Sequence, residues 1–440
     1  MAGTDTMLWA HVLFVGLLVG TELFFTALSV LNLRYEESAV TDAAEWIDER
    51  LNVDDPDRML DYHRLKTGLG LLQTWIGLGA LLGVLYVGLY ADAVRLIEAT
   101  GWHPIVQGVA FFIGGVFAVR LFGVPFDLVD TFVTEEIFGF NQQTPTLWVR
   151  DFFVGLAVTL VLTAIAGAAL MAVLQWLPTW WWVGAWGLFV AFSLAMLVIY
   201  PRVIAPLFND FEPIETGDLR EAIEDVFERA GFSTSGIYEM DASRRSSHSN
   251  AYFIGFGRTK RVVLFDTLIE QMDHRQIQSV LAHELAHWKK AHIWKRLGSS
   301  ALRTGIVLAV LAVLIESSWL YTMFGVPTGV EYAGLVLAGL LISPVNRLLS
   351  PIENRLSLKH EREADSFAVD VMGEGEPMIE ALCRLTSENL SNPFPHPLYA
   401  TFHYTHPPVP ERIRYIQELP ATEDEGFEPG ESGEQPRPSD

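Results

Sequence analysis

The sequence predicts an all-α integral membrane protein of about seven transmembrane helices, with a small α+β soluble unit that contains a β-hairpin. Half of its 440 residues are hydrophobic and the mean hydropathy is +0.27. A soluble protein of this size could not hide so much apolar surface from water. Between the fifth and sixth apolar segments, a long polar stretch has the helix and strand patterns of a compact soluble unit.

Seven segments are apolar over roughly the 20 residues that a transmembrane helix needs. They lie near residues 7–30, 67–91, 104–124, 152–176, 180–204, 299–322 and 330–350. The third contains Arg120, and an arginine at this depth usually faces a protein interior or a water-filled cavity. Basic residues are frequent between the first two segments, in 205–298 and after the seventh segment, but absent from 177–179 and 323–329. This alternation predicts an N-terminus outside the cell and large polar regions in the cytoplasm.

The polar stretch before the sixth span has three recognisable elements. Residues 216–231 have the spacing of an amphipathic helix that ends at Gly231. NAYFIGF and RVVLF, joined through Gly257 and Arg258, predict a β-hairpin. From Asp273 onward, the pattern predicts a helix that runs almost directly into the sixth span.

Five regions follow from these elements. They are a membrane region of five helices, a soluble insertion, a membrane hairpin, a C-terminal polar segment and an acidic tail, at 1–204, 205–298, 299–350, 351–419 and 420–440. The C-terminal polar segment begins with a predicted helix that ends at Gly373. The tail is rich in Glu, Asp, Gly, Pro and Ser and is predicted to be disordered.

The charge balance is strongly acidic, with 53 acidic against 30 basic residues and a net charge of -23. Few of the basic residues are lysine, which suggests a salt-loving (halophilic) prokaryote, where high ionic strength screens the self-repulsion. Net negative charge argues against a nucleic-acid partner. The single cysteine, Cys383, excludes an intrachain disulfide.

The motif HELAH at 283–287 is typical of a metal-binding helix. Residues four apart share one helical face, so His283 and His287 can direct imidazole nitrogens at one ion. Glu284 projects beside them and can take a proton from a water molecule at the metal. The pattern therefore makes the two histidines metal ligands and Glu284 a general base.

A second predicted helix carries Asn354, Glu361 and Asp365, spaced by seven and four residues on one stripe. Glu361 would complete a two-histidine, one-carboxylate set, which suits zinc better than magnesium or calcium. Asp365 would support a ligating histidine through a hydrogen bond, with Asn354 in the same supporting shell. A solvated charged face would give the same stripe.

The order of the spans supports this pairing. His287 precedes the sixth span and Glu361 follows the seventh by about ten residues each, or roughly 15 Å of helix. Two antiparallel spans with a short outside loop therefore return both residues to the same side of the membrane.

Several stretches resemble signatures of the type I CAAX prenyl proteases, a family of multi-span zinc peptidases. They are TFVTEEIFGFNQQT at 131–144, YPRVIAPLFNDF at 200–211, SSHSNAYFIGFGRTKRVVLFDTL at 246–268, HELAHW at 283–288, NRLSLKHEREAD at 354–365 and HYTHPPVPER at 403–412. With the seven spans, the resemblance extends from about residue 7 to about residue 417.

The resemblance implies further roles. His406 and Arg412 would line the active site, where a histidine can hydrogen-bond the oxyanion of the reaction. Asn250 and Ala251 would lie on an edge strand beside the zinc, to which the substrate adds by backbone pairing. The spans would surround a water-filled chamber, in keeping with Arg120.

These inferences predict a zinc metalloendopeptidase with one zinc ion per chain, the lipid bilayer as its setting and a peptide or protein as its substrate. Membrane or misfolded proteins are the expected substrates, because prenylated ones are not expected in a salt-loving prokaryote. The first alternative is a smaller membrane heat-shock zinc protease, against which the first three apolar segments argue. The second is a non-catalytic seven-span scaffold or carrier with a degenerate metal site, against which the intact ligand set and Glu284 argue.

Some polar residues receive no role at this point. His292 lies five residues after His287, an offset that turns it off the ligand face of a straight helix, so we expect it on the helix surface. Glu135 and Glu136, in the family-like stretch at 131–144, receive no chemical step and could equally be interfacial structure.

Overall fold

The computed structural model of the protein describes residues 2–53, 55–233, 236–254 and 261–420. The predicted acidic tail beyond Pro420 and the predicted hairpin turn through Gly257 and Arg258 lie outside the described residues.

Helices make up most of the described chain. In chain order they are α1 (Ala2–Asp42), α2 (Ala44–Trp46), α3 (Pro56–Tyr86), α4 (Leu89–Glu98), α5 (Pro104–Val129), α6 (Glu135–Ile137), α7 (Pro145–Trp176), α8 (Trp181–Ile199), α9 (Asp218–Arg229), α10 (Asp266–Gln271), α11 (His274–Lys289), α12 (His292–Ile315), α13 (Ser318–Thr322), α14 (Glu331–Leu348), α15 (Ser350–Met372), α16 (Glu376–Glu388), α17 (Pro397–His403) and α18 (Val409–Glu418). Short π-helical or 3-10 turns lie at Ile47–Leu51, Asp130–Thr134, Tyr200–Ile204, Ala205–Leu207 and Ala242–Arg244.

Six helical stretches of the described chain are long and apolar enough to cross a membrane. They are Met7–Asp42, Pro56–Tyr86, Pro104–Ile137, Pro145–Trp176, Trp181–Leu207 and His292–Ile315. The seventh predicted span coincides with α14, which meets this test only together with α15, across a bend of 47°. The predicted class, an all-α membrane protein of about seven transmembrane helices with a small α+β soluble unit, is confirmed.

The span boundaries differ from the prediction because hydropathy marks the apolar centre of a helix, whereas hydrogen bonding decides its ends. The second span begins at Pro56, in the first turn, where proline is favoured because its missing N–H would have no partner. It ends at Tyr86, and Gly88 then turns the chain into α4. The sixth span ends at Ile315, so the last part of the predicted 299–322 segment is the separate helix α13.

Arg120, inside the third span, hydrogen-bonds Thr159 of α7 at 3.3 Å. It also lines a cavity of about 290 Å³ with the carboxylates Asp127, Asp130 and Asp151. An intramembrane arginine is expected to face such a polar cavity rather than lipid.

A four-stranded sheet lies in the soluble unit, with the strand order β1-β2-β4-β3. The strands are β1 (Phe211–Pro213), β2 (Gly236–Met240), β3 (Ala251–Ile254) and β4 (Arg261–Phe265). β3 and β4 pair antiparallel, as the hairpin pattern predicts, whereas β2 pairs parallel to β4. The sequence does not predict β1 or β2, because runs of three and five residues carry too little alternation. β3 is the last strand of the sheet, so its outer edge is not paired with another described strand.

The helix that carries HELAH is built into the core of the soluble unit. α11 begins with a capping box in which Asp273 and Gln276 each bond the other's backbone N–H. Its apolar residues Leu281 and Leu285 are fully buried and pack with Ile223 of α9. The same helix packs extensively along α15, which begins just after the membrane hairpin. The membrane hairpin is therefore flanked by α11 and α15, which pack against each other in the soluble unit.

α11 does not continue into the sixth span. The chain leaves the helix after Lys289, and Ala291 takes a left-handed conformation with φ of 57°. Few residues other than glycine adopt this conformation. α12 then begins at His292 in a new direction, so the predicted helix from Asp273 is interrupted directly before the membrane.

Candidate metal centre and active site

Three predicted ligands meet where α11 packs on α15. His283 and His287 are one turn apart on α11, and each directs its Nε2 atom at Glu361 of α15. The distances are 3.2 Å from His283 to Oε2 and 3.5 Å from His287 to Oε1. One ligand atom from each of the three residues lies within 4.8 Å of the other two. This spacing matches a site in which all three bind one ion.

The environment of the Glu361 carboxylate favours a bound cation. Its side chain is completely buried, and within the described chain neither carboxylate oxygen accepts a hydrogen bond. Arg296 lies 3.7 Å from Oε1 without a hydrogen bond, and a buried carboxylate that accepts no hydrogen bond is strongly unfavourable. A metal ion between the carboxylate and the two imidazoles would satisfy both oxygens, so the residues present fit a metal.

The surroundings shift the pKa values of the two histidines in opposite directions. Burial lowers the pKa of His283, but its contacts with the carboxylates of Asp365 and Glu361 outweigh burial and raise the pKa to about 9. Burial and the neighbouring His283 lower the pKa of His287 to about 3. Both histidines have to be neutral to bind a metal ion, since only neutral imidazoles are ligands.

Asp365 and Arg412 support His283 from behind. The Asp365 Oδ1 atom lies 2.8 Å from the Nδ1 atom of His283. Arg412 donates to both oxygens of Asp365, from Nε at 3.0 Å and from Nη2 at 2.5 Å. Both side chains are buried. Burial raises the pKa of Asp365, but the Arg412 charge and these hydrogen bonds hold that pKa well below its usual range. Arg412, predicted to line the active site, therefore supports the ligand His283 through Asp365, and its Nη2 atom also lies 3.3 Å from the Nδ1 atom of His283.

Glu284 and His406 share one cavity with two of the ligands. The cavity has a volume of about 200 Å³ and is lined by Phe253, Glu284, His287, Trp288, His292, Ile293, Arg296, Glu361 and His406. The His406 Nε2 atom lies 3.3 Å from the Glu361 Oε2 atom, while 57% of the His406 side chain is exposed. Burial raises the pKa of Glu284 above its usual value, with the Glu361 charge acting in the same direction. A raised pKa makes this carboxylate a stronger base.

Asn250 and Ala251 lie where β3 begins. The backbone carbonyl of Asn250 accepts a hydrogen bond from Phe265 at 3.1 Å, and its side-chain oxygen accepts one from the N–H of Ala251 at 2.8 Å. Further along the same strand, Phe253 lines the cavity. The outer edge of β3, which pairs with no other described strand, therefore lies beside this cavity.

Asn354 points to a different neighbour. Its side chain is buried and donates to the carbonyl of Thr401 in α17 at 3.1 Å. Seven residues of helix, about 10 Å, separate it from Glu361. Its hydrogen bond therefore ties α15 to α17 rather than supporting a metal ligand directly.

The prediction for His292 is wrong. Its side chain is 1% exposed, and its Nδ1 atom lies 3.0 Å from Nδ1 of His287. The offset of five residues would turn it away in a straight helix, but the left-handed residue Ala291 changes the direction of the chain between them. Hydropathy and helical spacing carry no signal for such a turn.

Glu135, also without a role in the sequence, lies at the centre of a polar cluster. Its carboxylate accepts hydrogen bonds from Lys66 at 2.8 Å and Tyr62 at 2.9 Å and lies 3.3 Å from His248. His248 in turn contacts Asn389, the residue that follows α16, at 2.9 Å. Burial lowers the pKa of His248, but its hydrogen bonds to Glu135 and Asn389 raise it above the usual value. The cluster links the second and third spans to the segment that leads into β3.

Comparison with known proteins places these observations in context. Residues 35–210 match the family described as CAAX prenyl protease N-terminal, five membrane helices, and residues 213–420 match peptidase family M48. The chain is 37% identical over 317 residues to the CAAX prenyl protease 1 homolog of Oryza sativa, covering 72% of this chain and 74% of the relative. It is 36% identical over 314 residues to CAAX prenyl protease 1 of Saccharomyces cerevisiae, covering 67% and 68%.

The fold is also similar to a solved structure. The crystal structure of S. mikatae Ste24p matches with a TM-score of 0.85 at 26% identity, over 92% of this chain and 98% of the other. The similarity therefore extends across both the membrane helices and the soluble unit.

Proposed function

The chain belongs to the CAAX prenyl protease group of peptidase family M48, and from this premise we propose that His283, His287 and Glu361 hold one zinc ion at which it hydrolyses peptide bonds. Family membership makes it an integral membrane metalloprotease with a peptide or protein substrate. The observation that carries the site is the buried Glu361 carboxylate, without hydrogen bonds in the described chain, facing two imidazoles. Two nitrogen donors and one oxygen donor suit zinc better than magnesium or calcium.

The reaction would combine the metal with this chain's own acid, base and hydrogen-bond donors. When bound, zinc would supply Lewis-acid polarisation of the scissile carbonyl and lower the pKa of the attacking water. Glu284 accepts the proton of that water and passes it to the departing amine. His406, on the exposed side of the ligand cluster, donates a hydrogen bond to the developing oxyanion. Asp365, held by Arg412, keeps the imidazole of His283 in its ligating orientation.

The substrate would lie as an added strand along the outer edge of β3, from Asn250 and Ala251 toward Phe253. Backbone pairing at this edge binds any extended sequence, so side-chain preference has to come from elsewhere. A second, apolar cavity of about 330 Å³ shares Phe253, Trp288 and Ile293 with the metal cavity and continues to Met196 of α8. Its lining supports a preference for a large apolar residue next to the scissile bond.

Membrane or misfolded proteins are therefore the proposed physiological substrates. The apolar cavity is formed where the last turns of α8 meet β3 and the start of α12, and α8 belongs to an apolar span, so an apolar stretch of a membrane polypeptide can reach it. Matched peptides with and without a prenylated cysteine separate this proposal from a requirement for prenylation: equal cleavage supports it, and cleavage of the prenylated peptide alone contradicts it.

The soluble insertion 205–298 and the C-terminal segment 351–419 would form one catalytic unit, divided by the membrane hairpin 299–350. The alternation of basic and neutral loops supports a cytoplasmic position for this unit and an N-terminus outside.

A metal assay combined with a cleavage assay tests the proposal. Purified protein should contain one zinc per chain and cleave a quenched fluorescent peptide. A chelator should abolish cleavage, and added zinc should restore it. Chelator-resistant cleavage, or full zinc occupancy without any cleavage across a broad peptide set, would contradict the proposal, and the second result would favour the scaffold alternative.

A further inference from the structure

We infer that His292 and Glu363 form a hydrogen-bonded relay that fixes the tautomer of His287 and so strengthens its hold on the metal. The inference rests on the proposed metal site and assigns two residues to it that neither the HELAH motif nor the stripe on α15 includes.

The relay begins at Nδ1 of His287, the ring nitrogen that does not face Glu361. Its Nε2 atom faces Glu361, so the metal would be bound there. Its Nδ1 atom lies 3.0 Å from Nδ1 of His292. The other nitrogen of His292, Nε2, lies 3.0 Å from the Oε2 atom of Glu363. Two contacts of hydrogen-bond length therefore connect the ligand to a carboxylate.

The chemistry of the three groups sets one direction for both hydrogen bonds. A neutral imidazole that binds a metal through Nε2 carries its proton on Nδ1. His287 is then the donor, and His292 accepts at its own Nδ1 atom. The proton of neutral His292 consequently sits on Nε2 and is donated to Glu363, which as a carboxylate can only accept. Each of the three side chains then has its hydrogen-bond partner, and none of them gains or loses charge.

The packing around His292 holds this arrangement in place. The imidazole is 1% exposed and stacks on His360, with ring centroids 4.0 Å apart and an angle of 13°. The Glu363 carboxylate, 29% exposed, lies 3.8 Å from the ammonium of Lys359. The turn at Ala291 is what places the first residue of α12 against His287. The relay thus depends on the break between α11 and the sixth span.

The two histidine ligands consequently have separate supports. His283 is held by Asp365, which Arg412 anchors through two hydrogen bonds. His287 is held by a neutral histidine and a partly exposed carboxylate. Groups that orient a ligating histidine typically contribute about 10–100-fold in metal affinity.

Zinc affinity, measured by competition with a fluorescent chelator, tests the relay. His292→Phe keeps the stacked ring but removes both hydrogen bonds, and Glu363→Ala removes the final acceptor. We expect each substitution to lower the zinc affinity by about 10–100-fold. The double variant should bind zinc no more weakly than His292→Phe alone. Glu363→Gln keeps an acceptor oxygen and should bind within about threefold of the wild type. Asp370→Ala, a matched change at an exposed position of α15, should leave the affinity unchanged.

The outcomes separate the relay from the metal site itself. A wild-type protein that binds no zinc would contradict the proposed function. A wild type that binds zinc while folded His292→Phe and Glu363→Ala bind it equally well would overturn the relay alone. The visible spectrum of the cobalt-substituted protein gives a second readout, which should change in both variants. A lower melting temperature of the metal-free protein with unchanged zinc affinity and cobalt spectrum would assign His292 a packing role only, which also overturns the relay.

Discussion

Individual residues of the proposed active site divide into those that would face the substrate and those that would support the metal ligands. Glu284 and His406 line the same cavity as His287 and Glu361, so they can touch a substrate. Asp365 and Arg412 lie behind His283 and contact it and each other. Substitutions in the first group should change the rate of cleavage with the metal retained. Substitutions in the second should change the metal affinity or the fold.

Glu284→Gln tests the general base. The amide keeps the size and place of the side chain but cannot accept the proton, so we expect kcat to fall by at least about 10²–10⁴-fold with zinc still bound at one per chain. Quenched-peptide cleavage and metal analysis measure the two quantities. Glu270→Gln, an exposed change on α10, is the matched control. Near-normal cleavage by Glu284→Gln would remove this residue as the base.

Arg412→Met tests the buried ion pair with Asp365. Removal of one partner leaves a buried carboxylate uncompensated, which typically costs about 3–5 kcal/mol of stability. We expect a clearly lower melting temperature and weaker zinc binding, because Asp365 also positions His283. Arg414→Met, two residues further on at an exposed position, should change neither.

A double substitution distinguishes the ion pair from simple packing. If the charge of Asp365 causes the loss, Arg412→Met combined with Asp365→Leu should recover part of the stability while zinc binding stays weak. Additive losses of stability in the double variant would argue against the pair.

Elements decide whether a substrate can reach these residues. β3 is the last strand of the sheet and runs past the metal cavity through Phe253. The segment that precedes it is tied to the second and third spans, because His248 contacts the carboxylate of Glu135. The strand on which the substrate is proposed to bind is thus anchored to the membrane helices.

Backbone pairing with β3 predicts a pattern in modified peptides. Alternate amides of an added strand point at β3, and N-methylation at one of them removes a hydrogen bond worth about 1 kcal/mol and adds a clash. We expect kcat/KM to fall at least about fivefold at alternate positions and to change little at the positions between them. Equal losses at every position, or none, would exclude strand addition.

At the scale of the whole molecule, the two parts of the proposed catalytic unit lie between the fifth and sixth spans and after the seventh span, an order that is expected to bring both parts to one side of the membrane. In a Cys383→Ser background, Thr179→Cys lies in the short loop after α7, and Asp218→Cys lies at the start of α9. From the distribution of basic residues, we expect a membrane-impermeant maleimide to label Thr179→Cys in intact cells and Asp218→Cys only after lysis. The reverse pattern would invert the proposed orientation.

The sequence by itself determined the features that depend on local pattern. Apolar length predicts the spans, and a spacing of four residues predicts that His283 and His287 share a face. The left-handed cap Gly373 ends α15 where the pattern places it. The predicted ligand Glu361 lies across from both histidines, because two antiparallel spans return both helices to one side. Each of these follows from helix geometry and hydrophobicity, which act over a few residues.

Only the tertiary structure decided the rest. The turn at Ala291 carries His292 from the expected surface to the interior. The fold also brings Arg412 behind Asp365 and directs Asn354 to Thr401. The parallel pairing of β2 with β4 likewise joins residues that are distant in the chain. Such contacts depend on how separate elements pack against one another. A single left-handed residue, such as Ala291, changes the direction of the chain and therefore the neighbours of the side chains after it.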